Sequence, residues 1–418
     1  MRLSFFDLPA ITPRAVAGEV KKLASYRAEV AKVLSSSNNK RPEYALAYAS
    51  NPTLHETLAT LTKQCKNIKH LIVIGIGGSS LGVEAVHTFL GQKKVKLSVL
   101  DTVAAYEINI LLEQLKSVKK ANDIALCVVS KSGNTTETLV NAGVVLEALT
   151  KKFGKNFSKQ TIFIGDPNTA FLKTGKRLGA TIIAMPAKIG GRYSVGTEVT
   201  LVPLALLGHD VDEFIEGFLD ANTDPFENAA AEAAARLSLY LKKKSEHYCF
   251  FAFDKRLSLV GAWYRQLQAE SLGKETDRAG KPAIKSFVPH IATPVELHSL
   301  GQLYLTGYKG LYTDFVTFDD ETHDLSVPKT GIAKTFSRFT TGEIVTALYG
   351  GVVGAYVEKG LPHRATIFDE SLTYSLGLFM GMRMRETMYV AELLNLNAFD
   401  QPNVELYKQK TKQILGLK

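Results

Sequence analysis

Short apolar runs alternate with longer stretches of helical period through the first half of the chain. LIVIGI (71–76), KLSVLD (96–101), IALCVVS (124–130), QTIFIG (160–165) and ATIIAMP (180–186) read as strands, and each gap between them has room for one helix. That alternation predicts a parallel sheet with crossover helices. After about residue 205 the pattern turns helical, through DEFIEGFLDAN (212–222) and the Ala-rich ENAAAEAAARLSLYLKKK (227–244). A second alternation then begins. YCFFAF (248–253), AIKSFV (283–288), TDFVTF (313–318) and RATIFD (364–369) are strand-like, and LVGAWYRQLQAESLG, VELHSLGQLYL and GEIVTALYGGVVGAYVEK are the helices between them. DQPNVELYKQKTKQILG (400–416) closes the chain as a capped amphipathic helix.

The pattern therefore predicts an α/β chain of two similar doubly wound parallel-sheet halves. The expected divisions are a plain helical arm over 1–45, a first α/β domain over 46–210, a second over 211–400 and a C-terminal helix over 401–418. A length of 418 residues suits two domains of ordinary size.

Bulk properties narrow the function without naming it. Hydrophobic residues make up 45% and charged residues 22%, with no apolar run as long as a membrane span, so a globular chain is expected. The start MRLSFFDLPAITPR lacks a secretory h-region and cleavage site. Three cysteines, Cys65, Cys127 and Cys249, form no CxxC pattern, and a reduced, cytoplasmic setting is expected. The formal net charge is +9, spread along the chain, and runs such as Lys242 to Lys244 and YKQKTK read as solvated helix faces. No basic stripe with interleaved aromatics is present, so nucleic-acid binding is not expected; steering of small anionic substrates fits the sign better.

Two strand-to-helix turns carry candidate chemistry. SKSGNTTET (130–138) gathers Ser130, Ser132, Thr135 and Thr136 where a helix begins. Free N–H groups and the helix dipole favour an anion there, and four hydroxyls exceed what a helix cap needs. It is not a Walker loop, since Lys131 comes too early and no GK[ST] follows. GIGGSSLG (75–82) places Gly75, Gly77, Gly78 and Ser79 after a strand, letting backbone approach a ligand closely. It does not fit the dinucleotide fingerprint, although Asp101 stands where a ribose-binding acid would, which leaves nicotinamide binding open at this step. Two phosphate-cradling turns at the carboxyl ends of neighbouring strands point to one site for a sugar phosphate or nucleotide.

Further candidates lie downstream. In GGRYS (190–194) two glycines precede Arg192, holding backbone close while the guanidinium projects. In WYRQLQAESLGKE (263–275), Glu270 sits near a helix end that Gly273 closes, with Gln266 one turn before it. A carboxylate facing the negative end of a helix is odd for structure and useful for a general base. PVELHSLGQ (294–302) spaces His298 and Gln302 at i and i+4. None of the nine histidines forms HxH or HExxH, so a metal site is not expected. DDETHD (319–324) lacks the spacing and glycine of a calcium loop and reads as a solvated turn.

GIGGSSLG, SKSGNTTET, GGRYS, QLQAESLGK, LHSLGQ and FDQPNVELYK occur in this order over about residues 70–410. That set resembles the phosphoglucose isomerase family, built of two sugar-isomerase (SIS) domains of flavodoxin-like type. The resemblance implies an aldose–ketose isomerase that interconverts glucose 6-phosphate and fructose 6-phosphate, in glycolysis and gluconeogenesis, through ring opening and an enediolate. By similarity, Glu270 matches the base that moves a proton between carbons 1 and 2, and Arg192 the cation that steadies the enediolate. His298 and Lys408 match the pair that opens and closes the ring. Ser130, Ser132 and Thr135 match phosphate ligands, with Lys131 lending its backbone N–H; Gly78, Ser79, Gln266 and Gln401 match further substrate contacts. In the family the histidine crosses from a partner subunit, which implies a homodimer with shared sites.

The chain departs from the family in having Asn403 where DQPGVE has Gly, and Pro294 before His298. Proton transfer over one face needs a carboxylate, a cation and a ring-opening acid/base pair, so neither cofactor nor metal is expected, and the hydroxyl-lined cradle displaces the nicotinamide reading. The alternatives are an aminosugar-phosphate isomerase, whose glutamine-dependent type needs an N-terminal Cys domain that MRLSFF does not provide, and a non-catalytic sugar-phosphate sensor.

Overall fold

The computed structural model describes residues 1–417 apart from 37–39, 244–246, 284–287, 307, 309, 319–323 and 370. Among the described residues ten strands form two five-stranded sheets: β1 (Arg2–Phe6), β2 (His70–Ile74), β3 (Lys96–Leu100), β4 (Ile124–Ser130), β5 (Thr161–Gly165), β6 (Thr181–Ala184), β7 (His247–Ala252), β8 (Val288–Ala292), β9 (Leu311–Phe318) and β10 (His363–Phe368). The first sheet runs β3-β2-β4-β5-β6 and is parallel throughout, with Ile74 opposite Val128 and Ser130 opposite Gly165. Strands β2, β4 and β5 are buried along their whole length, as their unbroken Val/Ile/Leu runs require of a sheet covered on both faces. The expected doubly wound α/β class is present in both halves.

The second sheet runs β8-β7-β9-β10-β1. Its parallel strands repeat the order of the first sheet, but the fifth place is taken by β1 from the start of the chain, antiparallel to β10 with Arg2 opposite Ile367. The expected helical arm therefore opens with a strand. RLSFF alternates its apolar residues at period two, and only tertiary pairing turns five such residues into a sheet edge. The helices Pro13–Lys22 and Ala24–Ser35 follow it.

A 22-residue helix, Leu372–Leu393, is buried over most of its length and packs on Val211–Asp220 and Asp224–Lys242. Its sequence is apolar all round yet carries Arg383, Arg385 and Glu386, so it shows no amphipathic period from which to read it. The buried charges are paired. Arg364 reaches Asp314 at 2.8 Å and Glu386 at 2.7 Å, while Arg383 reaches the same two carboxylates at 3.0 and 2.6 Å.

One hydrophobic core runs under both sheets. The helix Leu81–Leu90 of the first half packs against Ser258–Leu272 of the second, and Phe89 meets Phe318 and Phe368 of the second sheet edge-on. That packing sets the turn after β2 against the helix that carries Glu270. Among the described residues no helix is long and apolar enough to cross a membrane. The strand expected over AIKSFV lies mostly outside the described residues, and the strand described there, β8, meets it only at Val288; the acidic run 319–323 also lies outside the described residues.

Candidate active site

In the first sheet the strand order reverses direction between β2 and β4, and the turns 75–80 and 130–135 both leave that point. Open α/β sheets bind ligands in such crevices, beyond the carboxyl ends of the strands. At the second turn Gly133 has φ +66, and a Cβ there would lie 2.8 Å from side-chain carbons of Phe171 and Thr169, so the turn needs glycine. The buried Ser130 Oγ accepts from the Gly133 N–H at 3.1 Å and donates to Thr135 Oγ1 at 3.3 Å; Ser132 Oγ accepts from Asn134 N–H at 3.3 Å. Thr135 is the N-cap of Thr136–Phe153, but its side chain makes no capping bond. The three hydroxyls thus gather beside an uncapped helix start, where N–H groups are short of acceptors. Lys131 is half-buried; burial lowers the pKa of its ammonium, Asp166 opposes that shift, and Arg192 and Lys188 add to it.

The first turn meets GGRYS backbone to backbone. A Cβ on Gly78 would stand 2.2 Å from the carbonyl carbon of Gly191, which no side chain permits, and Ser194 Oγ closes the contact by donating to the Gly78 carbonyl at 3.2 Å. Ser79 lies half-buried on the same turn. Arg192 is thereby fixed at its own backbone and its guanidinium is buried. Its Nε donates to Ser271 Oγ at 2.9 Å; Nη1 donates to Glu270 Oε2 at 3.1 Å and to Gln401 Oε1 at 2.7 Å. Nη2 donates to the carbonyls of Ala398 and Asp400 at 2.6 and 3.0 Å.

Glu270 takes a second bond on its other oxygen, from Gln266 Nε2 at 2.9 Å, across one turn of the Ser258–Leu272 helix. Its side chain remains 30% exposed and faces a cavity of about 510 Å³ lined also by Lys274, Thr276, Asp400 and Gln401. The opposite oxygen of Gln266 is buried without a hydrogen-bond partner among the described residues. The structure thus brings Arg192, Glu270, Gln266 and Gln401 into one hydrogen-bonded group, beside Gly78.

Two of the four expected catalytic residues stay outside that group. His298 ends the 3-10 turn Pro294–His298 and is exposed, and its side chain makes no hydrogen bond to the described residues. The single helix expected over 295–305 is broken there: Gln302 belongs to a separate short helix, Gly301–Leu305, so the i, i+4 relation to His298 does not hold. Pro294 sits at the first position of its turn, where its missing N–H costs nothing, and Thr293 with Glu296 forms a capping box around it. Lys408 lies on Val404–Ile414, a helix with no buried residue, and pairs with Glu405 at 2.7 Å; it does not line the Glu270 cavity. Only the start of this C-terminal segment reaches the cavity, through Gln401, Pro402, Asn403 and Val404. Asn403 is in the right-handed helical region, φ −69, so its place needs no left-handed residue, and its side chain makes no capping bond.

Lys274 was not singled out by the sequence. It stands in QLQAESLGK, four residues after Glu270, but nothing local distinguishes it from a solvated lysine. In the structure its side chain is 8% exposed and donates to the Glu270 carbonyl at 2.8 Å.

The Phosphoglucose isomerase family profile matches residues 27–327, most of the chain. The chain belongs to the phosphoglucose isomerase family. A glucose-6-phosphate isomerase of Carboxydothermus hydrogenoformans is 29% identical, over 94% of this chain and 89% of that protein. A glucose-6-phosphate isomerase of Thermus thermophilus is 31% identical over 84% of each. Among solved structures, a hypothetical protein, also of Thermus thermophilus, superposes with a TM-score of 0.87 at 27% identity, covering 99% of this chain and all of the other. A Chlamydia trachomatis glucose-6-phosphate isomerase shares the fold, with a TM-score of 0.72 at 18% identity over 90% of this chain and 75% of that one.

Proposed function

We propose that this chain is a glucose-6-phosphate isomerase, interconverting glucose 6-phosphate and fructose 6-phosphate in glycolysis and gluconeogenesis. The observation that carries the reading is the Glu270 carboxylate, bonded on one oxygen by buried Arg192 and on the other by Gln266 while still open to a cavity. A sugar-phosphate sensor has no need of that arrangement. In our reading Glu270 takes the proton from one carbon of the open-chain sugar and returns it to the next on the same face. As the enediolate forms, Arg192 redirects a donor from Glu270 or Gln401 to the developing charge; being already buried and bonded, it needs little reorganisation. Ser130, Ser132 and Thr135 hold the phosphate with the Lys131 backbone N–H, and Gly78, Ser79, Gln266 and Gln401 line the sugar.

Residues 46–210 then form the sugar-phosphate domain and 211–400 the domain that supplies the base. Ring opening falls to Lys408 and His298, the latter supplied from a second copy in a homodimer with shared sites. The exposure of His298 and of the C-terminal helix supports that division of labour. So does Thr341–Glu358, an apolar helix that buries only Tyr356 and leaves Val345, Leu348 and Val357 at 42%, 50% and 46% exposure. The three free cysteines, two of them buried in strands, support a cytoplasmic setting.

The direct test is purified full-length protein, treated with EDTA and supplied with fructose 6-phosphate. Appearance of glucose 6-phosphate is expected; its absence in folded protein would overturn the reading.

A further inference from the structure

The Ser258–Leu272 helix ends on Gly273, whose N–H satisfies the Ala269 carbonyl, while the Lys274 N–H satisfies that of Leu272. The Glu270 carbonyl, one of the last four that a helix leaves unpaired, is taken by Lys274 Nζ at 2.8 Å. The same ammonium pairs with Asp400 Oδ1 at 2.9 Å and donates to the Asp400 carbonyl. Arg192 Nη2 donates to the same carbonyl at 3.0 Å. Two cations therefore clamp the 398–401 segment to the end of the Glu270 helix, one residue before Gln401.

We propose that Lys274 is a positioning residue for proton transfer, fixing the backbone at Glu270 to the segment that delivers Gln401. This rests on the reading of Glu270 as the base. A buried lysine is stabilised only by its partners, and burial indeed lowers the pKa of its ammonium while Asp400 opposes that shift. The geometry carries the proposal: one ammonium holds the Glu270 carbonyl on the helix and both the carboxylate and the carbonyl of Asp400 on the facing segment. Small displacements of a base relative to its substrate lower the rate without weakening ground-state binding. The phosphate is held by residues 130–135 on another loop, so loss of the tie should fall on kcat.

The test compares Lys274→Met, Lys274→Arg, Asp400→Asn and the Lys274→Met/Asp400→Asn pair in the full chain, with Glu270→Gln alongside. Lys274→Met is expected to lower kcat for fructose 6-phosphate at least ~10-fold with KM changed less than about 3-fold. Lys274→Arg should recover part of that loss, and the double variant should be no worse than Lys274→Met alone, because both act on one tie. If Lys274→Met does not fold, Asp400→Asn, whose side chain is half exposed, carries the test and should lower kcat at unchanged KM. Wild-type kcat in Lys274→Met, or in Asp400→Asn where that variant carries the test, would overturn the proposal, as would effects that multiply in the double variant. An active Glu270→Gln would instead overturn the base assignment, which separates the two failures.

Discussion

Arg192 and Glu270 lie 78 residues apart in sequence and meet as an ion pair, Nη1 to Oε2 at 3.1 Å, with the guanidinium buried and the carboxylate partly open to the cavity. The asymmetry matters. The cation is held by five hydrogen bonds to residues of two distant segments, 270–271 and 398–401, whereas the carboxylate keeps a face free for chemistry.

Glu270→Gln should keep the fold and the phosphate affinity while removing most turnover. Glutamine preserves the shape and cannot take a proton, so kcat should fall by ~10²–10⁴-fold. Retention of more than about a tenth of wild-type kcat in a coupled assay would exclude Glu270 as the base.

Ser132→Asp should raise KM for fructose 6-phosphate sharply. Ser132 is exposed at the mouth of the 130–135 turn, so the fold tolerates the change, but the new carboxylate faces the incoming phosphate. Like charges at such a partly screened site repel by roughly a few kcal/mol. An unchanged KM would put the phosphate elsewhere.

Gly78→Ala should damage both stability and activity. The added methyl meets the Gly191 backbone at 2.2 Å, and backbone cannot swing aside as a side-chain tip can. Overpacking of this kind costs about 1–3 kcal/mol, to be read as a lowered urea midpoint, and it shifts Arg192 with it. A variant with wild-type midpoint and kcat would mean the two turns do not touch in solution.

Stability should fall as the pH drops below about 6.5 because of a buried histidine pair. His87 Nδ1 and His209 Nε2 lie 2.8 Å apart, joining the helix after the Gly78 turn to the end of Glu198–Leu207. Burial lowers His209 to about 4, with His87 and Lys93 adding to the shift. The unfolded chain then binds a proton that the folded one refuses, so the loss begins at the unfolded pKa and is complete near pH 4, amounting to about 3 kcal/mol. His209→Gln should flatten that part of the wild-type profile in chemical denaturation between about pH 7 and pH 5. An identical slope in the variant would assign the acid sensitivity to other groups.

His298→Ala and Glu270→Gln subunits, each inactive alone, should complement when mixed. In a crossed-over dimer one site collects both lesions and the other neither, so random pairing should restore up to roughly a quarter of wild-type activity. Exchange verified by native mass spectrometry without any return of activity would mean that His298 serves its own chain or that the dimer is not the active form.

Local pattern alone determined β2 to β7, β9 and β10, most of the crossover helices and the two turns at the carboxyl ends of β2 and β4, because burial on both faces and the needs of a turn are written in neighbouring residues. SKSGNTT and GIGGSS are legible for the same reason, each being a few consecutive residues acting together. The tertiary structure decided what joins to what. It drew the alternating RLSFF onto the edge of β10, at the far end of the chain, and buried Arg383 and Glu386 beside Arg364 and Asp314 in a helix whose sequence shows no face. It made Lys274 a tie between two segments and left His298 and Lys408 outside the Glu270 group. Such relations depend on side-chain packing between elements far apart in the chain, where the same lysine can be solvated or buried and nothing in its immediate neighbours distinguishes the two.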